Sequence, residues 1–438
     1  MDTIAALSSG SVPSGVAVIR VSGPRAKACV ETLTGRQPPA AGSFELRHFR
    51  DGPEVLDQGL VLWFDAPRSF TGEDVAEFQT HGGRAVVDGV LDAIGRIEGV
   101  RFAEAGEFSK QAFLNGRLDL TEVEGLSDLI QAETSLQRRQ AFAQLNGILA
   151  TLYEDWRHRL IRALGHVEAE IDFADEDLPE DLASLVKPVV LALREEMSGH
   201  LAQARKGERL RDGFRVALYG APNAGKSSLL NALAQRDVAL VSTQPGTTRD
   251  VLEVHLNLGG IPVTVLDTAG LRESSDEVEQ LGVARGRAHI ENADLRVLVQ
   301  DGSKPEAPSA ATAGGLEPDL LVSSKADLRM QAVDQKSGWI FTSAKEGTGI
   351  DELCASIEAK LRGLVPSKNE AVPTRLRHRQ SLERCVAALD RTGHITSDQP
   401  DLLAEELRAA MAALGEITGR ASVEDMLDVV FRDFCIGK

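Results

Sequence analysis

Two short apolar runs, Ser14 to Val21 and Gln58 to Phe64, are bounded by glycine and proline and read as strands. Between Gly83 and Ile97, Val86, Val87, Val90, Leu91 and Ile94 recur at helical spacing. Residues 1–117 therefore predict an α+β module. From Leu118 onward the pattern changes to long stripes with polar opposite faces, as in a helix bundle. One stripe holds Leu120, Val123, Leu126, Leu129 and Ile130; a second Leu152, Trp156, Leu160, Leu164 and Val167; a third Leu182, Leu185, Val189, Leu193 and Met197. Phe214 to Leu218 then starts a buried strand, and βα alternation runs to Leu361. Helical patterning returns after Pro366 and Pro373, over Leu382–Leu389, Leu402–Leu414 and Val423–Phe434.

The economical organisation is one helical domain, residues 118–212 and 373–438, interrupted by an α/β domain at 213–372. Chain ends that lie close together make such an insertion tolerable. The segment closest to a linker, Gly302 to Pro318, falls inside the α/β domain and is rich in Ala, Pro, Ser and Gly. A chain of 438 residues suits such a multidomain plan. Its net charge of -18 argues against a broad basic nucleic-acid surface, while leaving room for a local patch. Cys29, Cys354, Cys385 and Cys435 are too scattered for a zinc cluster and too few for a disulfide framework, so a reducing cytoplasm is expected. No basic-then-apolar leader opens the sequence, and no apolar run approaches the roughly 20 residues that span a bilayer, so no membrane attachment is expected.

Chemistry concentrates between Gly220 and Lys345. Gly220-Ala-Pro-Asn-Ala-Gly-Lys-Ser227 follows the strand Arg215–Tyr219 and precedes an amphipathic helix through Leu229, Leu230 and Leu233, the context that a phosphate-binding P-loop needs. The backbone of Asn223, Ala224 and Gly225 can wrap phosphates, and Lys226 adds a point charge. Ser227 can ligate Mg²⁺, and Ser228 follows it in the first helical turn. Asp267 ends the strand Ile261–Leu266 where a carboxylate can hold that metal through water, and Thr268 and Ala269 lead to Gly270, whose amide can approach the γ-phosphate. Within Gly246-Thr-Thr-Arg-Asp250, Thr248 is the candidate switch threonine on Mg²⁺. Asp327, in Ser324-Lys325-Ala326-Asp327, can accept from both N–H groups on the guanine edge and so reject adenine. Ser343, Ala344 and Lys345 form the remaining base-side segment. The usual motif of this class carries Asn where this chain has Ser324, which predicts lower base affinity or a looser loop.

These segments define a guanine-nucleotide switch with one gap. Leu271 stands where related enzymes place a water-orienting Gln. Glu279, in the acidic stretch Asp276–Glu279, is the candidate for positioning water, against the alternative of a solvated helix face. Charge stabilisation falls to Arg249, Arg272 or a bound cation, and Asn223 offers a neutral oxygen suited to a monovalent ion.

Further motifs extend the match to both ends: Ser69-Phe-Thr-Gly-Glu-Asp74, His81-Gly-Gly83, Gly106-Glu-Phe108, Asn115-Gly-Arg-Leu-Asp-Leu120, Leu403-Ala-Glu-Glu-Leu407, Gly415-Glu-Ile-Thr-Gly419 and Phe434-Cys-Ile-Gly-Lys438. With them the chain resembles the bacterial and organellar tRNA modification GTPases known as MnmE or TrmE. The resemblance implies a folate-binding, dimerising N-terminal domain, a helical domain built from both flanks, and an inserted Ras-like P-loop GTPase domain. It implies a homodimer working with an FAD-dependent partner, in a heterotetramer, on the wobble uridine of certain tRNAs. A tetrahydrofolate derivative, such as formyl- or methylene-tetrahydrofolate, would donate one carbon toward an aminomethyl or carboxymethylaminomethyl group. GTP hydrolysis would depend on K⁺-driven G-domain dimerisation without an arginine finger.

By the same resemblance Asn223, Ser242, Gln244 and Thr247 match K⁺ positions, and the nucleotide site extends over Ser242, Thr243, Gln244, Pro245, Gly246, Thr247 and Thr248. Glu279 matches the water-positioning glutamate. Arg20, Glu77, Arg117 and Lys438 match folate contacts, and Cys435 the family's terminal cysteine. Two other readings cover less of the sequence. A prenylated switch would use Cys435–Lys438, but Gly437 and Lys438 suit such a site poorly and no polybasic run precedes it. A ribosome-assembly GTPase would need more basic flanks.

Overall fold

The computed structural model describes residues 2–172, 182–236, 238–240, 253–267, 287–304, 316–328, 338–367, 370–396, 399–420, 434 and 437. The chain divides into two compact units, residues 1–127 with 145–157 and 411–438, and residues 128–144 with 158–410.

In the first unit the strands β1 (Thr3–Leu7), β2 (Ser14–Ser22), β3 (Phe44–Asp51), β4 (Glu54–Phe64), β5 (Val75–Gly82) and β6 (Val100–Phe102) form one sheet. Their order is β3-β4-β5-β2-β1-β6, antiparallel throughout except for the β1–β6 pair. In β2 the two-residue period sends Ala17, Ile19 and Val21 inward and leaves Arg20 on the other face. Helices α1 (Ala26–Thr34) and α2 (Arg84–Gly95) cover the inward face, packing Val30, Leu33, Val87, Val90 and Ile94 against Ile19, Phe49, Val61 and Phe78. Burial of each such side chain is worth about 1.5–3 kcal/mol, enough to hold the register of every strand it touches.

Helices α3 (Glu107–Leu114) and α4 (Leu120–Gln131) follow. The expected stripe on α4 is corrected. Its buried face carries Leu120 and Val123 together with Glu124 and Ser127, while Ile130 is exposed. The spacing i, i+3/i+4, i+7 is kept, but polar side chains occupy part of the inner face, which an apolar count cannot see. Phe434 packs against Leu120 and Val123. Nearby in the same unit, Gly437 (φ 97°) runs so close to β1 that a Cβ there would lie 2.2 Å from the Leu7 carbonyl oxygen. The end of the chain thus returns to the first strand.

The helices α5 (Ser135–Leu145), α6 (Ile148–Asp172), α7 (Leu182–Ala202) and α8 (Ala204–Asp212) follow, and the second unit takes α6 from His158 onward. On α7 Leu193 and Met197 of the expected stripe are buried, Val186 and Val190 join them, and Val189 faces solvent. The polar α5 was not announced by any apolar stripe; its Leu136 packs against the neighbouring α/β core. That core is a second sheet of β7 (Phe214–Tyr219), β8 (Glu253–Leu258), β9 (Ile261–Asp267), β10 (Leu295–Asp301), β11 (Leu320–Ser324) and β12 (Trp339–Phe341). The order is β12-β11-β10-β7-β9-β8, parallel except that β8 runs antiparallel to β9. Helices α9 (Lys226–Ala234) and α10 (Ile350–Arg362) pack on it through Leu229, Leu233, Leu353 and Ile357. Near-continuous apolar strands such as Phe214–Tyr219 reflect burial on both faces. Helices α11 (Leu376–Thr392) and α12 (Pro400–Thr418) complete the series, with Cys385 of α11 against Met197 of α7. The expected helix Val423–Phe434 lies, apart from Phe434, outside the described residues, as does most of the Gly302–Pro318 linker.

Burial pulls His200 of α7 down to about pKa 4, helped by the neighbouring His378. Above pH 6.5 both folded and unfolded chains carry this imidazole neutral. Below it the unfolded chain takes up a proton that the folded chain refuses until about pH 4, so stability falls across that window, by about 3 kcal/mol in full. Thermal melts between pH 7 and 4 should show that loss, and His200→Gln should flatten the slope.

Candidate active site

The carboxyl ends of β7, β9, β10 and β11 converge, the position at which open parallel sheets bind ligands. β7 leads into the loop Gly220–Gly225, and α9 starts at Lys226. Gly220 has φ 149°, and a Cβ there would lie 2.1 Å from the Val299 carbonyl oxygen, so only glycine allows the loop to leave the sheet at this point. Asn223 (φ 61°) takes the left-handed conformation that asparagine tolerates. The loop ends at the start of α9, where the helix dipole favours phosphate. Lys226 is almost fully buried, and its Nζ donates to the carbonyl oxygens of Gly220 and Ala221 at 3.0 and 2.9 Å, a position from which it can swing to a phosphate.

Asp267 sits opposite Leu218 in the β7–β9 pair, fully buried, and accepts from the Ser227 hydroxyl at 2.5 Å. A buried carboxylate meeting a hydroxyl at the phosphate end of the loop is a donor set of hard oxygens that fits Mg²⁺. Ser227 would ligate the ion and Asp267 would hold its water, and the ion would supply charge neutralisation at the phosphates.

The base side is tied to the P-loop by two consecutive residues. The Ser324 hydroxyl donates to the Ala224 carbonyl oxygen at 2.5 Å and lies 3.0 Å from that of Gln300. Lys325 (φ 54°) donates to the Asn223 carbonyl oxygen at 2.9 Å and to Asp301 at 2.7 Å. Burial tends to raise the Asp301 carboxyl, but hydrogen bonds from Lys325 and Ser303 outweigh it and hold the group below the usual carboxylate range. Asp327 lies in a 3₁₀ turn, Ala326–Leu328, and its Oδ1 accepts from the buried Ser343 hydroxyl at 2.7 Å, which holds the carboxylate in one orientation. Sequence reading missed Asp301; its position at the end of a βα-type strand was the available signal.

The structure thus brings Asn223, Ala224, Gly225, Lys226, Ser227, Ser228, Asp267, Ser324, Lys325, Asp327, Ser343, Ala344 and Lys345 to one end of one sheet. Ser242, Thr243, Gln244, Pro245, Gly246, Thr247, Thr248, Thr268, Ala269, Gly270, Glu279, Cys435 and Lys438 lie outside the described residues.

A second constellation occupies the outward face of the first unit's sheet. Arg20 and Glu77 are direct partners in the β2–β5 register, with Nε and Nη2 of Arg20 at 2.9 and 2.8 Å from Oε1 of Glu77. The guanidinium also lies over the rings of Phe70 and Phe108, 5.4 and 5.6 Å from their centroids. Arg117 packs at the tight turn of Gly72. Phe70 and Phe108 lie within Ser69–Asp74 and Gly106–Phe108, where nothing in the spacing marks them as neighbours of Arg20.

A strand–P-loop–helix, a metal-suited Ser–Asp pair and a carboxylate poised for guanine define a P-loop GTPase. Residues 120–435 match the model of the MnmE helical domain, and residues 3–117 match that of the N-terminus of the GTP-binding protein TrmE. Curated relatives include two named tRNA modification GTPase MnmE. That of Parvibaculum lavamentivorans is 52% identical over 448 residues and that of Rhodospirillum rubrum 49% over 457, each comparison covering 100% of both chains. Among solved structures, the G domain of the T. maritima FeoB iron transporter is 28% identical, with 34% of this chain and 98% of that one covered and a TM-score of 0.26. The chain belongs to the MnmE family of tRNA modification GTPases. Among the described residues no helix is long and apolar enough to cross a membrane.

Proposed function

We propose that this chain is a K⁺-activated GTPase that works with an FAD-dependent partner to place an aminomethyl or carboxymethylaminomethyl group on C5 of the wobble uridine of certain tRNAs. The reading assigns residues 1–117 to folate binding and dimerisation, 118–212 and 373–438 to the helical domain, and 213–372 to the G domain. Such a protein acts as a cytoplasmic homodimer, in a heterotetramer with its partner.

The observation that carries the reading is the Arg20–Glu77 pair beside two aromatic rings, present in the same chain as the P-loop and its Ser227–Asp267 pair. A guanidinium and a carboxylate beside Phe70 and Phe108 suit a flat, hydrogen-bonding ring system such as a pterin. On the same segments, Glu73 and Gln111 each keep a buried oxygen with no partner among the described residues, as a site awaiting a polar ligand would. Bound there, a tetrahydrofolate derivative would supply the one-carbon unit, and Arg20, Glu77, Arg117 and Lys438 would orient it. On the nucleotide side Asn223, Ser242, Gln244 and Thr247 would hold K⁺, Thr248 would join Ser227 on Mg²⁺, and the Gly270 amide and Glu279 would complete the hydrolytic centre. Each GTP cycle would then join and part the G domains and move the flanking parts.

Nucleoside mass spectrometry of tRNA from a deletion strain tests the assignment. The modified wobble uridines should disappear, return with the parent gene, and stay absent with Arg20→Ala although that variant still hydrolyses GTP. Unchanged wobble uridines in the deletion strain would overturn it.

A further inference from the structure

The β8–β9 hairpin has the nucleotide site at one end and a helix at the other. The chain enters β8 just after the segment Gly246–Asp250 and leaves β9 at Asp267, the carboxylate paired with Ser227. Pairing is continuous from Glu253 opposite Leu266 to Leu258 opposite Ile261, which makes the hairpin a ribbon that carries a shift along its length. At the far end the Gly260 N–H closes the turn on Oδ1 of Asn257 at 2.9 Å. That turn is held from two sides. A Cβ at Gly259 (φ 58°) would lie 2.2 Å from Oε1 of Glu358 on α10, and one at Gly260 (φ 91°) 2.6 Å from the Ser135 hydroxyl oxygen on α5. Backbone therefore lies directly against α5, where Leu136 packs into the α/β core and its N–H reaches the Gly260 carbonyl oxygen at 3.4 Å.

The points where the chain crosses into and out of the α/β domain are held differently. Oδ1 of Asp128, whose side chain is 10% exposed, accepts from Nε of Arg211 at 2.9 Å and from Nη2 of Arg375 at 2.7 Å. Arg211 stands just before β7 and Arg375 at the start of α11, so a single carboxylate grips both crossings. Gln137 of α5 adds a bond from its Nε2 to the Arg211 carbonyl oxygen at 2.9 Å. Charge-assisted bonds are about twice as strong as neutral ones, which makes this clasp the firmer point. The hairpin tip meets α5 through an apolar side chain and a long N–H bond instead. A cavity of about 270 Å³ adjoins both places, bordered by His255 of β8 and by Gln131, Glu133, Gln137 and Arg211, and leaves room for the hairpin to tilt.

We propose that the β8–β9 hairpin is a lever between the nucleotide site and the helical domain, pivoting near the Asp128 clasp and pressing on α5 through Leu136. The lever presupposes the reading that each GTP cycle moves the flanking parts, and it names the element that carries the movement. A change of bound nucleotide beside Asp267 shifts β9, the paired strands pass the shift to Gly260, and α5 responds. Asp128 meanwhile keeps the two crossings in place, so the shift reaches α5 and is not lost in rotation of the whole domain. Leu136 is a positioning residue that acts through the hairpin.

Hydrogen exchange of the full chain, read by mass spectrometry with GDP and then with a non-hydrolysable GTP analogue in K⁺, tests the lever. In the parent the amides of the hairpin and of α5 should change protection together, those of α5 by about fivefold or more. Leu136→Ala keeps a strong helix former, so α5 should persist. Its difference between the two nucleotides should vanish in α5 and remain in the hairpin, with GTP turnover within about twofold of the parent. Leu136→Met, of similar volume, should restore the difference. A general loosening of α5 would speed exchange with both nucleotides and leave the difference in place. A difference retained in full by Leu136→Ala would overturn the lever and leave nucleotide-driven motion standing. No difference outside the nucleotide site of the parent would overturn both. If Leu136→Ala does not fold, the parent alone decides: a change in α5 without one in the hairpin, or in the hairpin without one in α5, would overturn the lever.

Discussion

Replacing Asp327 by Asn should lower GTP affinity by about a hundredfold and transfer preference to xanthosine nucleotides. The carboxylate offers acceptor positions only, and Ser343 already occupies one of them at 2.7 Å. What remains would face the two N–H groups of the guanine edge. An amide at this place presents N–H₂ to one of those donors, which removes a charged hydrogen bond and buries two donors against each other. Xanthine carries a carbonyl where guanine carries its amino group, so the same amide regains a partner. Titration of GTP, GDP and the xanthosine analogues against both proteins measures the exchange. Unchanged GTP affinity in Asp327→Asn would remove Asp327 from the base site.

Glu279→Ala should leave nucleotide binding within about twofold and reduce turnover by roughly a hundredfold or more, the range of a lost water-positioning group. Leu271 cannot orient water where related enzymes use Gln, so the role falls to another group. Single-turnover hydrolysis separates the two effects: the variant should bind at the parent's affinity and stall before phosphate release. The companion result concerns charge. If a cation held at Asn223 stabilises the developing negative charge, exchanging K⁺ for Na⁺ should lower the parent's turnover steeply. Wild-type turnover in the variant, or equal rates in both salts, would redirect the search to Arg249 and Arg272.

Local order in the chain and long-range order in the fold contribute differently to these expectations. The strand Arg215–Tyr219, the loop Gly220–Gly225 and the helix from Lys226 are contiguous, so backbone preference and a single apolar stripe define them without help from elsewhere. The same holds for α2, whose Val87, Val90 and Ile94 are buried as their spacing requires. Where polar groups share a buried face, periodicity fails. On α4, Glu124 and Ser127 lie inside and Ile130 outside, because their environment is set by partners distant in sequence. On α7 Leu193 and Met197 are buried as expected, but with apolar residues on both sides of position 189 the spacing could not tell Val189, on the surface, from Val190, inside.

Taken alone, the sequence determined that this chain binds and hydrolyses a guanine nucleotide, because phosphate loops, metal ligands and base readers are short motifs whose chemistry travels with their residues. Its end-to-end motifs also pointed to the right family. Only the tertiary structure decided which distant residues meet. Arg20 and Glu77, 57 positions apart, become register partners on adjacent strands. Ser324 reaches the Ala224 carbonyl across 100 positions. Phe434 and Gly437 come back to Leu120 and Leu7. Such contacts are bought by burying apolar surface elsewhere in the fold, and no spacing along the chain records where that burial brings two side chains together.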